Sequence, residues 1–146
     1  MAKINYLAVA VAGVLYWILG AVWYGLFSER FVALMRWTPE DLARAQAQGS
    51  AKELALAFAT SMLTAYVLAH LVRATGARTG LDGALTGFCV FVGFVLTTNL
   101  ATVIFEGRAA GLYLINMGYN LVALLLMGVL LAAWRRQEAR VPAYQT

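Results

Sequence analysis

Amide, carboxylate and guanidinium side chains gather between residues 97 and 120 of an otherwise apolar chain. Those able to bind a ligand or carry a proton are, in chain order, Asn99, Thr102, Glu106, Arg108, Asn116, Tyr119 and Asn120. A carboxylate beside an arginine can form an ion pair, accept a proton or anchor a substrate, and amides can hydrogen-bond a polar solute. This stretch is the candidate polar pocket.

The same residues have a structural interpretation. Polar side chains join neighbouring membrane helices by hydrogen bonds worth about 0.6 kcal/mol each. Packing is therefore favoured over a pocket with Glu106 and Arg108 at its rim, although intramembrane polar groups are functional candidates by default. Secondary candidates are Trp23, Tyr24, Thr60, Thr64 and His70.

His70 is the one histidine in the sequence, and Tyr66 precedes it by one helical turn. An interfacial anchor is favoured over a switch that titrates near neutral pH. A lone histidine does not make a metal site, and the chain has neither a nucleophile at a readable spacing from a base nor a phosphate-binding glycine loop. We predict no catalytic residue, no metal and no cofactor, so an enzymatic activity is unsupported.

Four uncharged apolar runs position these side chains. They cover residues 7–27, 54–72, 83–105 and 112–134, and as helices they reach about 28–35 Å, enough to cross a bilayer. Apolar residues make up 62% of the chain and charged residues 12%, far from the composition of a soluble domain. Both prolines, Pro39 and Pro142, lie outside the runs. We predict an all-α integral membrane protein whose single domain, residues 1–146, is a four-helix transmembrane bundle.

The loop between the first two runs carries a helix signal. Thr38 can cap a helix that begins at Pro39, Glu40 and Asp41 would lie in its first turn, and Gly49 can end it. A short amphipathic surface helix is predicted here. We favour a connector that covers the bundle mouth over a lid or a docking surface.

Basic residues predict the orientation. Six lie in the N-terminus, the 73–82 loop and the C-terminal tail, and five lie in the other two loops, where acidic residues intersperse. We expect a multi-pass protein of the cell membrane with both termini cytoplasmic and the first run retained as an anchor. The basic tail then suits anionic lipid headgroups, and no nucleic-acid partner is expected.

With that orientation, the polar residues of the runs form one layer in the outer leaflet. Asn99, Thr102 and Glu106 share a helix face, and so do Tyr113, Asn116 and Asn120 on the next helix. The six-residue loop makes these two helices antiparallel neighbours, so the two polar stripes are expected to meet. A GxxxG pair earlier in the third run, at Gly83 and Gly87, suits close packing within the bundle or dimerisation.

Six short segments point to a relative. MAKINYL at 1–7, GAVWY at 20–24, PEDL at 39–42, AYVLAHL at 65–71, FEGR at 105–108 and LINMGY at 114–119 together resemble the DUF1761 family of small membrane proteins. The resemblance spans nearly the whole chain. It implies a four-helix integral membrane protein and no established activity.

Two functional hypotheses follow. The first is a binding, scaffold or partner subunit, whose partners are the lipid bilayer, a bound lipid, a membrane protein or a second copy. The alternative is a small oligomeric translocator of a proton, ion or small solute, which the lack of an acid between the polar layer and the inner face argues against. The subunit is narrowly favoured.

Overall fold

A computed structural model describes residues 4–48 and 51–134, which fold into helices and turns. The elements are α1 (Tyr6–Leu26), α2 (Ser28–Met35), α3 (Pro39–Gln48), α4 (Ala51–Ala74), α5 (Gly80–Val90), a π-helical segment (Phe91–Leu96), α6 (Thr97–Ile104) and α7 (Ala110–Ala133). The α5 helix, the π-helical segment and α6 form one continuous rod. The described part of the chain contains no strand.

Four of these rods are long and apolar enough to cross a membrane. They are Tyr6–Leu26, Ala51–Ala74, Gly80–Ile104 and Ala110–Ala133, which we number as the first to fourth spans. Each boundary lies within three residues of the boundary predicted for the apolar runs. The predicted all-α four-helix bundle is confirmed, and its apolar helices are compatible with a multi-pass membrane protein.

The two ends of the bundle differ in what they carry. At one end the Asn5 amide donates to the carbonyl of Trp134 at 3.0 Å, so the start of the first span meets the end of the fourth. We call this the termini end. The opposite end carries α2, α3 and the turn between the third and fourth spans, and we call it the loop end.

The predicted surface helix begins at Pro39, as expected. The Thr38 hydroxyl accepts from the Asp41 amide at 3.2 Å, and the Asp41 carboxylate accepts from the Thr38 amide at 3.0 Å. This reciprocal pair satisfies two amides that the first helical turn leaves free. The stop predicted at Gly49 lies outside the described residues.

A second short helix, α2, precedes it and has no counterpart in the predictions. It ends at Arg36, whose backbone is left-handed with φ 53°. Its Phe31 ring lies edge-on to Tyr24 with centroids 5.5 Å apart, and a Cβ on Gly111 would lie 3.0 Å from a methyl carbon of Leu34. The α2 helix therefore packs against the loop end of the bundle.

The third and fourth spans pack closest because glycines remove side chains from their interface. A Cβ on Gly83 would overlap the carbonyl oxygen of Gly128, and a Cβ on Gly87 would overlap that of Leu124. Small residues allow this approach between membrane helices. The predicted GxxxG pair thus packs within one chain.

The buried core lies mainly in the termini half of the bundle. Its members are Ala8, Val9, Ala12, Ala65, Leu68, Ala69, Val72, Ala77, Phe91, Met117, Leu124, Met127, Leu131 and Ala132. Towards the loop end, none of residues 14–26, 51–60 or 92–104 is buried. Among the described residues, the termini half is therefore more tightly packed than the loop half, where the fourth span keeps Leu112 and Met117 buried.

Candidate functional site

Side chains of the first and fourth spans form a polar cluster in the loop half. The Tyr16 hydroxyl donates to Asn120 Oδ1 at 3.2 Å, and the Tyr24 hydroxyl donates to Asn116 Oδ1 at 2.8 Å. The Tyr119 hydroxyl donates a hydrogen bond to the backbone carbonyl of Tyr16 at 3.2 Å. The tyrosine–asparagine cluster, as we call it, comprises Tyr16, Trp23, Tyr24, Asn116, Tyr119 and Asn120.

Aromatic contacts and glycines let the cluster close. The rings of Tyr16 and Tyr119 stack with centroids 5.2 Å apart. A Cβ on Gly20 would lie 3.0 Å from the Tyr119 hydroxyl, and one on Gly118 would lie 2.8 Å from the Trp23 ring. The two spans approach because each presents a glycine where the other presents an aromatic ring.

The polar groups of this cluster are bonded within the protein. Trp23 Nε1 donates to the Ile115 carbonyl at 3.0 Å, and Asn120 Nδ2 donates to the Asn116 carbonyl at 2.8 Å. Across the described residues, no buried side-chain nitrogen or oxygen lacks a hydrogen-bond partner. The cluster therefore joins two helices by hydrogen bonds.

The third span contributes no side chain to the cluster. Asn99 is exposed and donates to the Val95 carbonyl of its own helix at 2.9 Å, and the Thr102 hydroxyl donates to the Asn99 carbonyl at 2.7 Å. The expectation that the third and fourth polar stripes meet is therefore not met. Asn116 and Asn120 face the first span instead.

A π-helical segment precedes Asn99 and Thr102 in the third span. A π-turn holds an extra residue per turn, so the helix beyond it presents a different face from the one that regular α-helical spacing assigns. Asn99 and Thr102 both lie beyond this segment in α6, so their spacing relative to each other stays α-helical. The hydrogen bond that does link the third and fourth spans here runs from the Tyr113 hydroxyl to the Leu96 carbonyl, at 2.8 Å.

Side chains donate hydrogen bonds to four consecutive backbone carbonyls of this segment. Thr97 donates to the Gly93 carbonyl at 2.9 Å, Thr98 to that of Phe94, Asn99 to that of Val95 and Tyr113 to that of Leu96. The π-helical register displaces backbone donors from their α-helical acceptors. The run of two threonines and an asparagine directly after the segment is the signal in the sequence that accompanies it.

The predicted ion pair is present at the loop end. Arg108 Nε lies 2.9 Å from Glu106 Oε2, and the two side chains are 57% and 54% exposed. Gly107 between them has φ 64°, a conformation that glycine adopts without steric cost. The pair belongs to an exposed turn.

The secondary candidates divide into two groups. Trp23 and Tyr24 belong to the cluster, whereas Thr60, Thr64 and His70 bond within their own helix. The two threonine hydroxyls donate to the carbonyls of Ala57 and Thr60, and His70 Nδ1 lies 2.9 Å from the Tyr66 carbonyl. Within residues 4–48 and 51–134, no group of three His, Cys, Asp or Glu side chains is placed to hold a metal ion.

Sequence reasoning placed Tyr113 on the polar stripe of the fourth span but did not assign Tyr16 to a site. The available signal was spacing: Tyr16, Gly20 and Tyr24 recur every four residues, which places them along one helix face. Tyr113 lies one turn before Asn116 in the same way. Aromatic hydroxyls at those positions are suitable donors to amide oxygens on a facing helix.

The fold and the cluster define a helical protein with four apolar spans and a polar interface between the first and the fourth. A family model described as a protein of unknown function (DUF1761) matches residues 7–132. The chain therefore belongs to this family. No curated protein and no solved structure matches it.

Proposed function

We propose that this protein acts in the cell membrane as a binding, scaffold or partner subunit and does not itself transport a solute. The observation that supports this proposal is the bonding of the tyrosine–asparagine cluster. Each of its three tyrosine hydroxyls donates to an acceptor on the facing span. Two of these acceptors are asparagine side chains and the third is a backbone carbonyl. Groups already paired in this way stabilise an interface between helices and are not free to replace the hydration shell of a solute.

The termini half supports the same proposal. Beyond the cluster lie Leu124, Met127 and Leu131 of the fourth span, all of them buried and apolar. A path for a proton or an ion is usually marked by ionisable residues inside the membrane. The described spans carry their acidic residues, Glu53 and Asp82, near helix starts.

Flux measurements test this proposal. Protein reconstituted in liposomes is expected to raise proton, potassium and sodium flux no further than protein-free liposomes do. Glu106→Gln serves as the matched variant, since it removes the charge of the exposed ion pair and keeps the side-chain volume. Flux that the wild type carries and the variant loses would overturn the proposal.

The second candidate function is a small oligomeric translocator of a proton, ion or small solute. The observation that favours it is the open loop half, where Asn99 and Glu106 are exposed. In that case these two residues line the entrance formed by several copies. The flux experiment decides between the two functions, and capture in mild detergent followed by mass spectrometry identifies the lipid or protein bound by a subunit.

We infer that both termini are cytoplasmic, from the excess of arginine and lysine in the segments at the termini end. Single cysteines at Gln46 and Ala74, in a Cys89→Ser background, report on the two ends of the bundle. A membrane-impermeant thiol reagent added outside intact cells should label Gln46→Cys and not Ala74→Cys. The reverse result would invert the orientation.

A further inference from the structure

We propose that one acyl chain of an acidic phospholipid lies in an apolar groove between the second and third spans, with its headgroup beside Arg78. This inference rests on the proposed binding function and deepens it by naming the class of ligand and its site. It is argued from the shape of the groove, the apolar character of its lining and an arginine in the turn that closes it.

A groove opens where the second and third spans separate. Near the termini end the two spans meet, because the hydroxyls of Thr75 and Thr86 lie 3.2 Å apart. One helical turn from each threonine, Leu71 and Val90 already line the groove. The second span contacts the third mainly through α5. The threonine contact therefore closes the groove at its termini end, and the groove extends from there towards the loop end.

This groove has an exposed rim and a buried floor. On the rim, Leu63, Val67 and Leu71 of the second span are 62%, 48% and 37% exposed, and their four-residue spacing places them along one helix face. On the floor, Leu68 of the same span and Leu124 of the fourth are 2% and 4% exposed. The space is about 240 Å³. Because the rim lies along the side of a span, the groove opens sideways into the surrounding lipid.

The lining of the groove favours hydrocarbon over water. Six of its seven residues are aliphatic. The seventh, Thr64, donates its hydroxyl to the Thr60 carbonyl of its own helix at 2.9 Å. Apolar cavities of this kind stay dry and bind apolar ligands. The occupant therefore needs apolar surface and no hydrogen-bonding group at this depth.

The volume of the groove selects an acyl chain over a helix of another protein. An α-helix about 10–12 Å across fills about 420–610 Å³ per turn, so a single turn already exceeds the 240 Å³ of the groove. An acyl chain is a single file of methylene groups, and the bilayer supplies it at the side where the groove opens. A lipid chain is therefore the occupant that fits both the size and the chemistry of the groove.

Arg78 provides a positive charge at the closed end of the groove. It lies in the turn 75–79 that joins the two walls, between the end of α4 and the start of α5. Its side chain is exposed and forms an ion pair with no carboxylate of the described residues. The neighbouring acid, Asp82, accepts instead from the backbone amides of Arg78 and Thr79, at 3.2 and 3.0 Å. A guanidinium at the membrane surface attracts the phosphate of an acidic lipid.

Native mass spectrometry of protein released from vesicles tests the headgroup. From vesicles of equal phosphatidylglycerol and phosphatidylcholine, the wild type should retain one lipid, with phosphatidylglycerol in excess. Arg78→Gln should lower the retained ratio of phosphatidylglycerol to phosphatidylcholine about five-fold, the effect of one basic residue near a lipid surface. Arg44→Gln removes an exposed arginine of α3 at the loop end and should leave this ratio unchanged.

Photolabelling tests the groove itself, and it uses the wild type. Phosphatidylglycerol with a diazirine midway along one acyl chain should label Leu124 and not Met127. Both residues are buried, at 4% and 2% exposure, but of the two it is Leu124 that lines the groove. Val67→Trp, which fills the groove, should abolish the labelling of Leu124 and lower lipid retention. Leu15→Trp, at a position of the first span that is 47% exposed, should change neither.

Several results would overturn the proposal. They are a wild type that retains no phospholipid, retention of the two lipids in equal amounts, Leu124 unlabelled or labelled no more than Met127, and labelling of Leu124 that persists in Val67→Trp. Proton or ion flux in liposomes would overturn the proposed function instead and would leave the lipid measurements unchanged. The failure of the lipid site and the failure of the proposed function are therefore distinguishable.

Discussion

The hydroxyl of Tyr24 donates a 2.8 Å hydrogen bond to Oδ1 of Asn116, joining the first and fourth spans at the loop end. The Tyr24 ring also contacts Tyr119, with centroids 5.4 Å apart. Close to this pair, none of residues 14–26 of the first span is buried. Polar bonds therefore hold the two helices together where apolar burial does not.

The first prediction concerns this bond. Tyr24→Phe should lower the free energy of unfolding by about 0.6 kcal/mol and at most about 1.7 kcal/mol, the measured range for interhelical hydrogen bonds. Asn116→Ala removes the acceptor, and a double-mutant cycle isolates the coupling between the two side chains. Unfolding is followed by titration with a denaturing detergent.

Tyr66→Phe is the control for that cycle. Tyr66 is exposed, and its hydroxyl has no partner in the described part of the chain. The control should unfold like the wild type. A coupling energy of zero between Tyr24 and Asn116 would show that the bond does not contribute to the interface.

The sequence predicted the spans accurately because membrane burial leaves a strong compositional mark. A run of about twenty uncharged residues identifies a span whatever its neighbours are. The helix at Pro39 was also readable, since Thr38 and Asp41 form a local capping pair. In both cases the deciding interactions are made either between residues close in sequence or with the lipid.

The partners of the polar side chains were not readable in the same way. Which helix Asn116 faces depends on how the spans pack and on the register of each helix. The π-helical segment at Phe91–Leu96 changes the register of the third span without an apolar-to-polar change in the sequence. For this reason the sequence indicated a polar layer, but it did not pair the fourth span with Tyr16 and Tyr24.

The second prediction concerns the close contact of the third and fourth spans. Gly83→Ala should lower the free energy of unfolding by about 1–3 kcal/mol, as overpacking typically does, because its Cβ would overlap the Gly128 carbonyl. Gly93→Ala is the matched control in the same span, where a Cβ has open space. Equal effects of the two substitutions in a detergent-unfolding titration would contradict this account of the interface.

The third prediction concerns pH and the start of α3. The backbone amide and the hydroxyl of Thr38 both donate hydrogen bonds to the Asp41 carboxylate. These bonds, the one from the amide most of all, hold the pKa of Asp41 below the usual aspartate value. A lowered pKa means that the charged cap is complete above about pH 3.9, the unperturbed value, and is lost as the pH falls through the lower pKa of the folded protein.

Carbon-13 NMR titration of the Asp41 carboxyl group measures this directly. Thr38→Ala removes the hydroxyl donor and keeps the backbone amide, so the pKa of Asp41 should rise part of the way towards the ordinary value. Thr60→Ala, distant in sequence and bonded to its own helix, should leave the titration unchanged. An Asp41 pKa at or above the ordinary aspartate value in the wild type would contradict the capping pair.

The fourth prediction concerns the exposed ion pair. Glu106→Gln should change the free energy of unfolding by less than about 1 kcal/mol, since surface ion pairs contribute little and both side chains are more than half exposed. Gly107→Ala, at the left-handed residue between the two, should destabilise by about 1 kcal/mol or more. If Glu106→Gln lowered the free energy of unfolding more than Gly107→Ala did, this account of the turn would be contradicted.

The fifth prediction concerns the π-helical segment and the link it makes to the fourth span. The Tyr113 hydroxyl donates to the Leu96 carbonyl across the two helices at 2.8 Å. In Tyr113→Phe this carbonyl loses its side-chain donor, so its stretching band, isolated by carbon-13 labelling of Leu96, should move to higher frequency. The same band should stay in place in Tyr66→Phe. An unshifted band in Tyr113→Phe would mean that the backbone alone satisfies Leu96 and that the segment does not need the fourth span to hold its register.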